Sequence, residues 1–204
     1  MKEYPSIPKQ RKDGVVYLFD KIDGSNIRVE WNRKWKCFTK FGSRTQLIDS
    51  SHPTLGSAVQ IVKTKYEKEL NKRLTDYRAQ KAILFLEFHG SNSFAGNHEP
   101  SDVKDVTLID ISVHPKGILI PKDYLELTEG LDRAALLYHG RLDEGIVQQI
   151  QEGTFPGMTF EGVVAKANSG SPGLPDMFKI KNKNWLLKLK TFCKDDEQMY
   201  ERLQ

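Results

Sequence analysis

The chain has 204 residues, of which 38% are hydrophobic and 28% are charged, and 31 Lys and Arg residues against 27 Asp and Glu residues give a formal net charge of +4. This balance excludes a disordered chain, and so small a charge does not by itself establish a polyanionic partner. No apolar stretch approaches the roughly 20 residues of a membrane helix, and the start of the sequence lacks the apolar core of a signal peptide. We therefore expect a cytoplasmic protein that binds no membrane, with one domain over residues 1–204.

The first predicted elements flank a lysine. The sequence YLFDKIDGSN (residues 17–26) places Lys21 two residues ahead of the Asp23-Gly24 turn, after an apolar run. A solvated hairpin lysine and a nucleophile both fit this position. NIRVEW and KWKCFTKF then alternate apolar and polar residues around a short polar connection, which predicts a β-hairpin. Arg28 in the first of these strands is expected either on the solvated face or at a site formed with Lys21.

A helix and two buried strands are predicted next. From Leu55 to Leu74 the apolar residues recur at helical spacing, with Thr54 in position for the N-cap. AILFLEF (82–88) and VTLIDISV (106–113) are short, continuous apolar runs typical of buried strands. The segment between them is rich in Gly, Ser, Asn and Pro and predicts a surface loop. His89 and His98 flank it, and we favour surface histidines over a metal site because no third ligand has suitable spacing.

The second half of the chain predicts further helices and strands. Weaker helical patterns cover PKDYLELTEGL (121–131) and RLDEGIVQQIQ (141–151). Strands are predicted at TFEGVVAK (159–166), MFKIK (177–181) and WLLKLK (185–190), before a short polar helix. Because helices and strands interleave without a βαβ rhythm, we predict an α+β fold of largely antiparallel sheets with flanking helices. Cys37 and Cys193 match no zinc spacing and are expected as reduced thiols.

Several predicted strands contain charged residues among apolar ones. A charge buried alone is costly, so each must be ion-paired, ligated or catalytic. A structural ion pair is about as probable as a site for any one of them. A strand period of two places Lys179 and Lys181 on the same face, so these charges can line one cleft. The residues are Glu87, Asp110, Glu161, Lys166, Lys179 and Lys181.

Clustered lysines and carboxylates favour one kind of chemistry. A lysine amine becomes nucleophilic when neighbouring cations or burial lower its pKa, and lysines gathered around a phosphate would do this while binding the phosphate. Carboxylates beside them would hold a hard divalent cation such as Mg²⁺ against the phosphates. The pattern predicts attack of a lysine amine on the α-phosphate of a nucleotide, with release of pyrophosphate.

Five elements of the chain resemble, in order, the motifs of the covalent nucleotidyltransferases, which are the ATP-dependent RNA and DNA ligases and the messenger RNA capping enzymes. They are KIDGSN, FLEFHG, LIDIS, EGVVAK and FKIK, between about residues 17 and 190. The Ser-Asn after the glycine of KIDGSN is most similar to nick-sealing phage RNA ligases. The resemblance implies a nucleotidyltransferase (adenylation) domain that uses ATP with Mg²⁺ or Mn²⁺.

The resemblance also implies a role for individual residues. Lys21 would take AMP as a phosphoramidate, Asp23 and Gly24 would shape its turn, and Glu161 would hold the metal. Arg44 in KFGSRTQ would contact the ribose and Glu87 the ribose or metal. The implied phosphate contacts are Asn26, Lys166, Lys179 and Lys181, of which Lys179 and Lys181 are counted with Lys21 as catalytic. Ile109 stands where the family often has an aromatic residue that stacks on the base.

The implied activity is strand sealing at 5′-phosphate and 3′-hydroxyl ends of a nucleic acid, with RNA favoured. The residues after Lys181 are too few for an OB-fold domain, so we expect a bare adenylation domain, for which a partner protein could supply grip on the strand. Trp185 in the lysine-rich stretch is a candidate contact to nucleic acid. The alternatives are a minimal DNA ligase, a GTP-using capping-type transferase, and a nucleic-acid-binding derivative without catalysis.

Overall fold

The computed structural model describes residues 1–91, 101–194 and 196–203. The described strands are β1 (Val15–Asp20), β2 (Ser25–Asn32), β3 (Cys37–Gly42), β4 (Leu47–Ile48), β5 (Lys81–His89), β6 (Asp105–Val113), β7 (Gly117–Ile118), β8 (Leu136–Arg141), β9 (Gly162–Ser171) and β10 (Leu174–Lys181). The described helices are α1 (Gly56–Val62), α2 (Lys68–Asp76), α3 (Pro121–Leu127), α4 (Glu144–Glu152), α5 (Lys183–Cys193) and α6 (Glu197–Leu203), with a π-helical segment at Lys63–Glu67 between α1 and α2. None of these helices has the length and apolar character needed to cross a bilayer.

Within the described residues the strands form two sheets. Sheet A has the strand order β10-β9-β1-β8, and sheet B has the order β4-β3-β2-β5-β6-β7. The named strands pair antiparallel, as predicted. The chain leaves sheet A at the end of β1 and enters sheet B at the start of β2, so residues 21–24 connect the two sheets.

One face of each sheet packs against helices, and strand alternation leaves the other face for a cavity. In β9, Val163 and Ala165 join the core that includes Ile150 of α4, whereas Val164 and Lys166 line the cavity. The same alternation holds in sheet B, where Leu86 of β5 packs in the core formed with α1, α2 and α3 and Glu87 faces the cavity. The predicted α+β architecture, with its hairpin at β2 and β3, is confirmed.

Two predicted element assignments are wrong. The segment WLLKLK is helical, because Asn182 caps α5 by accepting a hydrogen bond from the Asn184 amide at 2.7 Å. Thr54 is not the N-cap of the helix predicted from Leu55. Leu55 holds that position without a side-chain cap, and the ring nitrogen Nδ1 of His52 accepts from the Leu55 amide at 3.2 Å.

Arg28 is not on a solvated face. Its side chain is only 4% exposed, although it alternates with apolar neighbours in β2. The guanidinium donates to the backbone oxygens of Ser43 at 2.6 Å and Met1 at 3.1 Å, so Arg28 fixes the chain start and the end of β3 against β2.

Candidate active site

A cavity of about 720 Å³ lies between the two sheets. This volume is within the range of roughly 300–1,000 Å³ that small-molecule sites occupy. Every residue predicted for the site lines it, from both sheets: Lys21, Asp23, Gly24, Asn26, Arg44, Glu87, Glu161, Lys166, Lys179 and Lys181. The structure therefore brings together residues that are up to 160 positions apart in the chain, whereas the individual roles given to them remain predictions.

Lys21 stands at the crossing from sheet A to sheet B. It directly follows β1, and its backbone amide donates to the carbonyl of Gly162 at 3.0 Å, which ties it to the start of β9. Asp20 before it is buried and accepts a hydrogen bond from the Thr159 amide at 3.0 Å. Lys21 is thus held against the segment that contains Glu161.

Gly24 allows the turn after Lys21 to approach β5. A Cβ atom at this position would lie 2.3 Å from the carbonyl oxygen of Phe88, a backbone atom that cannot rotate away. The close approach brings Asn26 opposite Glu87 in the β2–β5 register. Among the described residues, the buried Asn26 Oδ1 has no hydrogen-bond partner, so it is available to accept a hydrogen bond from a ligand.

Glu161 is the centre of the charged group. Its Oε1 lies 2.8 Å from the Lys21 ammonium and also forms an ion pair with Lys181. The Lys181 ammonium is 3.6 Å from the centre of the Trp185 ring, a cation–π contact. Trp185 is 2% exposed, so its ring packs beneath Lys181 and does not offer the nucleic-acid platform predicted for it.

The electrostatic effect of this group differs from the predicted one. Burial lowers the pKa of Lys21, but Glu161 and then Glu87 more than offset it, so the net pKa of Lys21 is raised. The lowered pKa falls instead on Lys181, at about 7, because of burial and the Lys21 charge, and on Lys179 for the same two reasons. The structure therefore differs from the prediction that clustered lysines lower the pKa of Lys21, because the carboxylates hold its proton.

The carboxylates are crowded and only partly neutralised. Burial raises the pKa of Glu87 to about 8, against the opposing effect of Lys21, and Glu161 and Asp23 raise it further. Burial and Glu161 also raise the pKa of Asp23. Crowded carboxylates whose pKa values are raised in this way are suited to a divalent cation, which would neutralise their charge.

A metal at this site would need ligands beyond the protein. The described residues contain no group of three or more His, Cys, Asp or Glu side chains arranged to hold an ion. Mg²⁺ typically takes one or two carboxylates and completes its shell with substrate phosphates and water. Glu161 and Glu87 fit that pattern, with the remaining ligands coming from a nucleotide.

Lys166 lies apart from the Glu161 group. Its ammonium is 2.8 Å from Asp110 Oδ2 and 2.9 Å from the Ile109 carbonyl oxygen, and both charged side chains are buried. The phenol of Tyr4 donates to the same Asp110 oxygen at 2.9 Å. Lys166 is therefore a cavity-lining residue held in a buried ion pair with Asp110.

Residues 4–9 also line the cavity, and the sequence patterns did not predict them. They form no helix or strand, and the only local signal is the extended conformation that Pro5 and Pro8 impose on their neighbours. Helix α6 contributes Glu201 and Leu203; a short helix was predicted there, but not its place at the site. Of the two histidines weighed for a metal site, His89 approaches Thr107 Oγ1 at 2.8 Å, and His98 lies outside the described residues.

Solved structures of the RNA ligase of Naegleria gruberi are similar to this chain. A point mutant with ATP and manganese has a TM-score of 0.64 and 17% identity, covering 91% of this chain and 59% of the ligase chain. A second mutant with AMP and manganese has a TM-score of 0.63 and 18% identity, covering 85% and 51%. The ligase with pyrophosphate has a TM-score of 0.63 and 16% identity, covering 87% and 52%. No protein-family model matches the sequence, and no curated protein sequence does.

At this sequence identity and coverage, the similarity shows the fold alone. The chain spans between 51% and 60% of the length of these ligase chains. Its two sheets and flanking helices follow the same arrangement at low sequence identity. The chain therefore has the same α+β fold as these RNA ligase structures.

Proposed function

We propose that the chain is an ATP-dependent, RNA ligase-like adenylyltransferase. Lys21 takes AMP from ATP as a covalent lysyl-AMP, the AMP passes to a 5′-phosphate end, and a 3′-hydroxyl displaces it to seal the strand. The observation that supports this most is the convergence of Lys21, Glu161 and Lys181 in a cavity that Lys179 and Glu87 also line. A nucleophile, its proton acceptor and phosphate-binding cations are what the first step requires.

In the first step the nitrogen lone pair of Lys21 attacks the α-phosphorus of ATP. The N–P bond forms while the bond from the α-phosphorus to the bridging oxygen breaks, and pyrophosphate leaves with that oxygen. Lys21 must first lose a proton, and Glu161 at 2.8 Å is placed to accept it. Lys179 and Lys181 would stabilise the negative charge that builds on the phosphates.

Glu161 and Glu87 would hold Mg²⁺ or Mn²⁺. The ion supplies positive charge that neutralises the phosphates and the carboxylates around Lys21. Glu161 and Glu87 are two of the groups that raise the pKa of Lys21, so a cation held by them would weaken their hold on its proton. Burial of Lys21 acts in the same direction, toward the neutral, nucleophilic amine.

The opposite end of the cavity suits a nucleobase. Ile109, Ala134 and Val164 line it with apolar surface, and the ring of Phe19 lies beside them. A base between Ile109 and Val164 would place the sugar and phosphates toward Lys21. Aliphatic packing would then replace the aromatic stacking expected at residue 109.

Self-adenylylation tests the proposal directly. Incubation with α-labelled ATP and Mg²⁺ or Mn²⁺ should yield a labelled protein band, which Lys21→Ala and Lys21→Arg abolish. Lys40→Ala changes an exposed lysine on β3 and should keep the label. An unlabelled wild-type band with each of several divalent metals would contradict the proposal.

Two further comparisons distinguish the alternatives. Label transfer from GTP in place of ATP would indicate a capping-type transferase, and sealing of nicked DNA in place of nicked RNA would indicate a minimal DNA ligase. Nucleic-acid binding without label uptake would indicate a binding module that has lost catalysis. Sealing only after addition of a second protein would indicate that a partner protein contributes to binding the nucleic acid strand.

A further inference from the structure

The N-terminal strap, defined as residues 4–9, crosses the mouth of the cavity. Ser6 Oγ accepts a hydrogen bond from Arg44 on one side at 3.4 Å, and the Pro8 carbonyl accepts from the Lys179 amide on the other side at 2.9 Å. Arg44 follows β3 of sheet B, and Lys179 belongs to β10 of sheet A. The strap therefore bridges the two sheets above the cavity.

Lys9 follows Pro8 and lines the cavity beside Lys179. Its side chain is exposed, and within the described residues it has no ion pair. The next cations along the chain differ, because Arg11 pairs with Glu144 at 2.5 Å and Lys12 pairs with Asp176. Of these three cations, only Lys9 lines the cavity.

The positive charge at the mouth is not balanced as it is deeper in the cavity. Lys21 and Lys181 share Glu161, but Arg44, like Lys9, has no carboxylate partner among the described residues. This concentration of positive charge affects Lys179. Its pKa is lowered by burial, by Lys21 and, among further groups, by Lys9 and Arg44. Three cations that converge in this way favour an anion between them.

We propose that Lys9 forms, with Arg44 and Lys179, a subsite for the terminal phosphates of the nucleotide that holds the departing pyrophosphate. This inference rests on the proposed function, because the ATP-dependent step is what supplies a pyrophosphate at this end of the cavity. Lys9 acts only through its charge and its hydrogen bonds. None of the five sequence motifs contains it, so the strap adds a phosphate contact to them.

Binding of inorganic pyrophosphate and of AMP, measured by calorimetry with the full chain, tests the subsite. Lys9→Ala should weaken pyrophosphate binding roughly tenfold, the usual effect of losing one charge-assisted contact, and leave AMP binding within about twofold. Lys9→Arg should restore pyrophosphate binding. Lys12→Ala is the matched control, since Lys12 is a nearby cation that pairs with Asp176 and is not among the residues that line the cavity.

The outcomes separate the subsite from the proposed reaction. Equal weakening of pyrophosphate and AMP, or equal weakening by Lys12→Ala, would overturn the subsite. So would unchanged pyrophosphate binding in Lys9→Ala. Selective loss of pyrophosphate binding in a protein that never takes up labelled AMP would support the subsite and contradict the adenylyltransferase.

Discussion

The Lys21 ammonium lies 2.8 Å from Glu161 Oε1, so the residue proposed to attack ATP is held in an ion pair. Replacing Glu161 by Gln removes the largest of the influences that raise the pKa of Lys21. We expect the pKa of Lys21 to fall, so that a larger fraction of the amine is neutral at a given pH. The same substitution should lower AMP uptake, because Glu161 is also the proposed proton acceptor and metal ligand.

Amine acylation followed by mass spectrometry, over a range of pH, measures this effect at Lys21. The modification of Lys21 should begin at lower pH in Glu161→Gln than in the wild type, while Lys40 serves as an internal control in the same spectra. An unchanged profile at Lys21 would show that Glu161 does not set its protonation.

The buried pair of Asp110 and Lys166 should stabilise the fold only as a pair. Lys166→Met leaves the Asp110 charge without its cation, and Asp110 is 0% exposed. We expect a loss of about 3–5 kcal/mol in the free energy of unfolding. Asp110→Asn combined with Lys166→Met should lose clearly less than the sum of the single changes. Urea unfolding of the four proteins in this cycle gives the coupling, and additive losses would contradict it.

Gly24→Ala should disrupt the site more than the fold. The added Cβ would meet the Phe88 carbonyl oxygen, so the turn that holds Lys21 must move away from β5. A displacement of about 1 Å can reduce the rate by about a hundredfold, which we expect for AMP uptake. Gly145→Ala in α4 is the control, since alanine favours a helix over glycine by roughly 0.5–1 kcal/mol. Normal AMP uptake by Gly24→Ala would contradict this account of the turn.

Glu87 should make stability fall as the pH rises toward 8. Its pKa in the folded protein is about 8 against an ordinary value of 4.5, so between these values the folded state retains a proton that the unfolded chain releases. The free energy of unfolding therefore decreases with pH over this interval. Glu87→Gln removes this titration, so its stability relative to wild type should rise by roughly 3 kcal/mol between about pH 5 and about pH 8.

Urea unfolding at both pH values measures this change. A constant difference between the two proteins would show that Glu87 is ionised in the folded state throughout. Lys181→Met serves for comparison. The pKa of Lys181 is lowered from 10.5 to about 7, so Lys181 makes the free energy of unfolding rise with pH above about pH 7.

The strands β2, β3, β5, β6, β9 and β10 could be predicted because their signal is local. Alternation in β2, β9 and β10 records which residues face the helices, and the structure follows it at Val163, Val164 and Ala165. The same rule failed at α5, where Lys188, Leu189 and Lys190 imitate a strand. The spacing of Trp185, Leu189 and Cys193 gives the helical signal, since these buried residues recur every fourth position.

The composition of the site could be predicted from its motifs, but its internal pairing could not. Lys166 and Lys181 lie on neighbouring strands of sheet A, yet Lys166 pairs with Asp110 of sheet B and Lys181 with Glu161. Which pairing forms depends on how sheet A packs on sheet B, and local sequence contains no signal for it. The contribution of residues 4–9 was missed because they have neither periodicity nor a motif.

In β10, core and cavity residues share one strand in strict alternation, with Phe178 and Ile180 in the core and Lys179 and Lys181 in the cavity. An insertion or deletion of one residue early in this strand would therefore exchange the two sets. The ammonium groups would enter the core, and the apolar side chains would enter the cavity. A point substitution at the cavity face changes one side chain, whereas a change of reading length moves both faces of the strand at once. Natural variation in β9 and β10 should accordingly be in residue type and never in residue number.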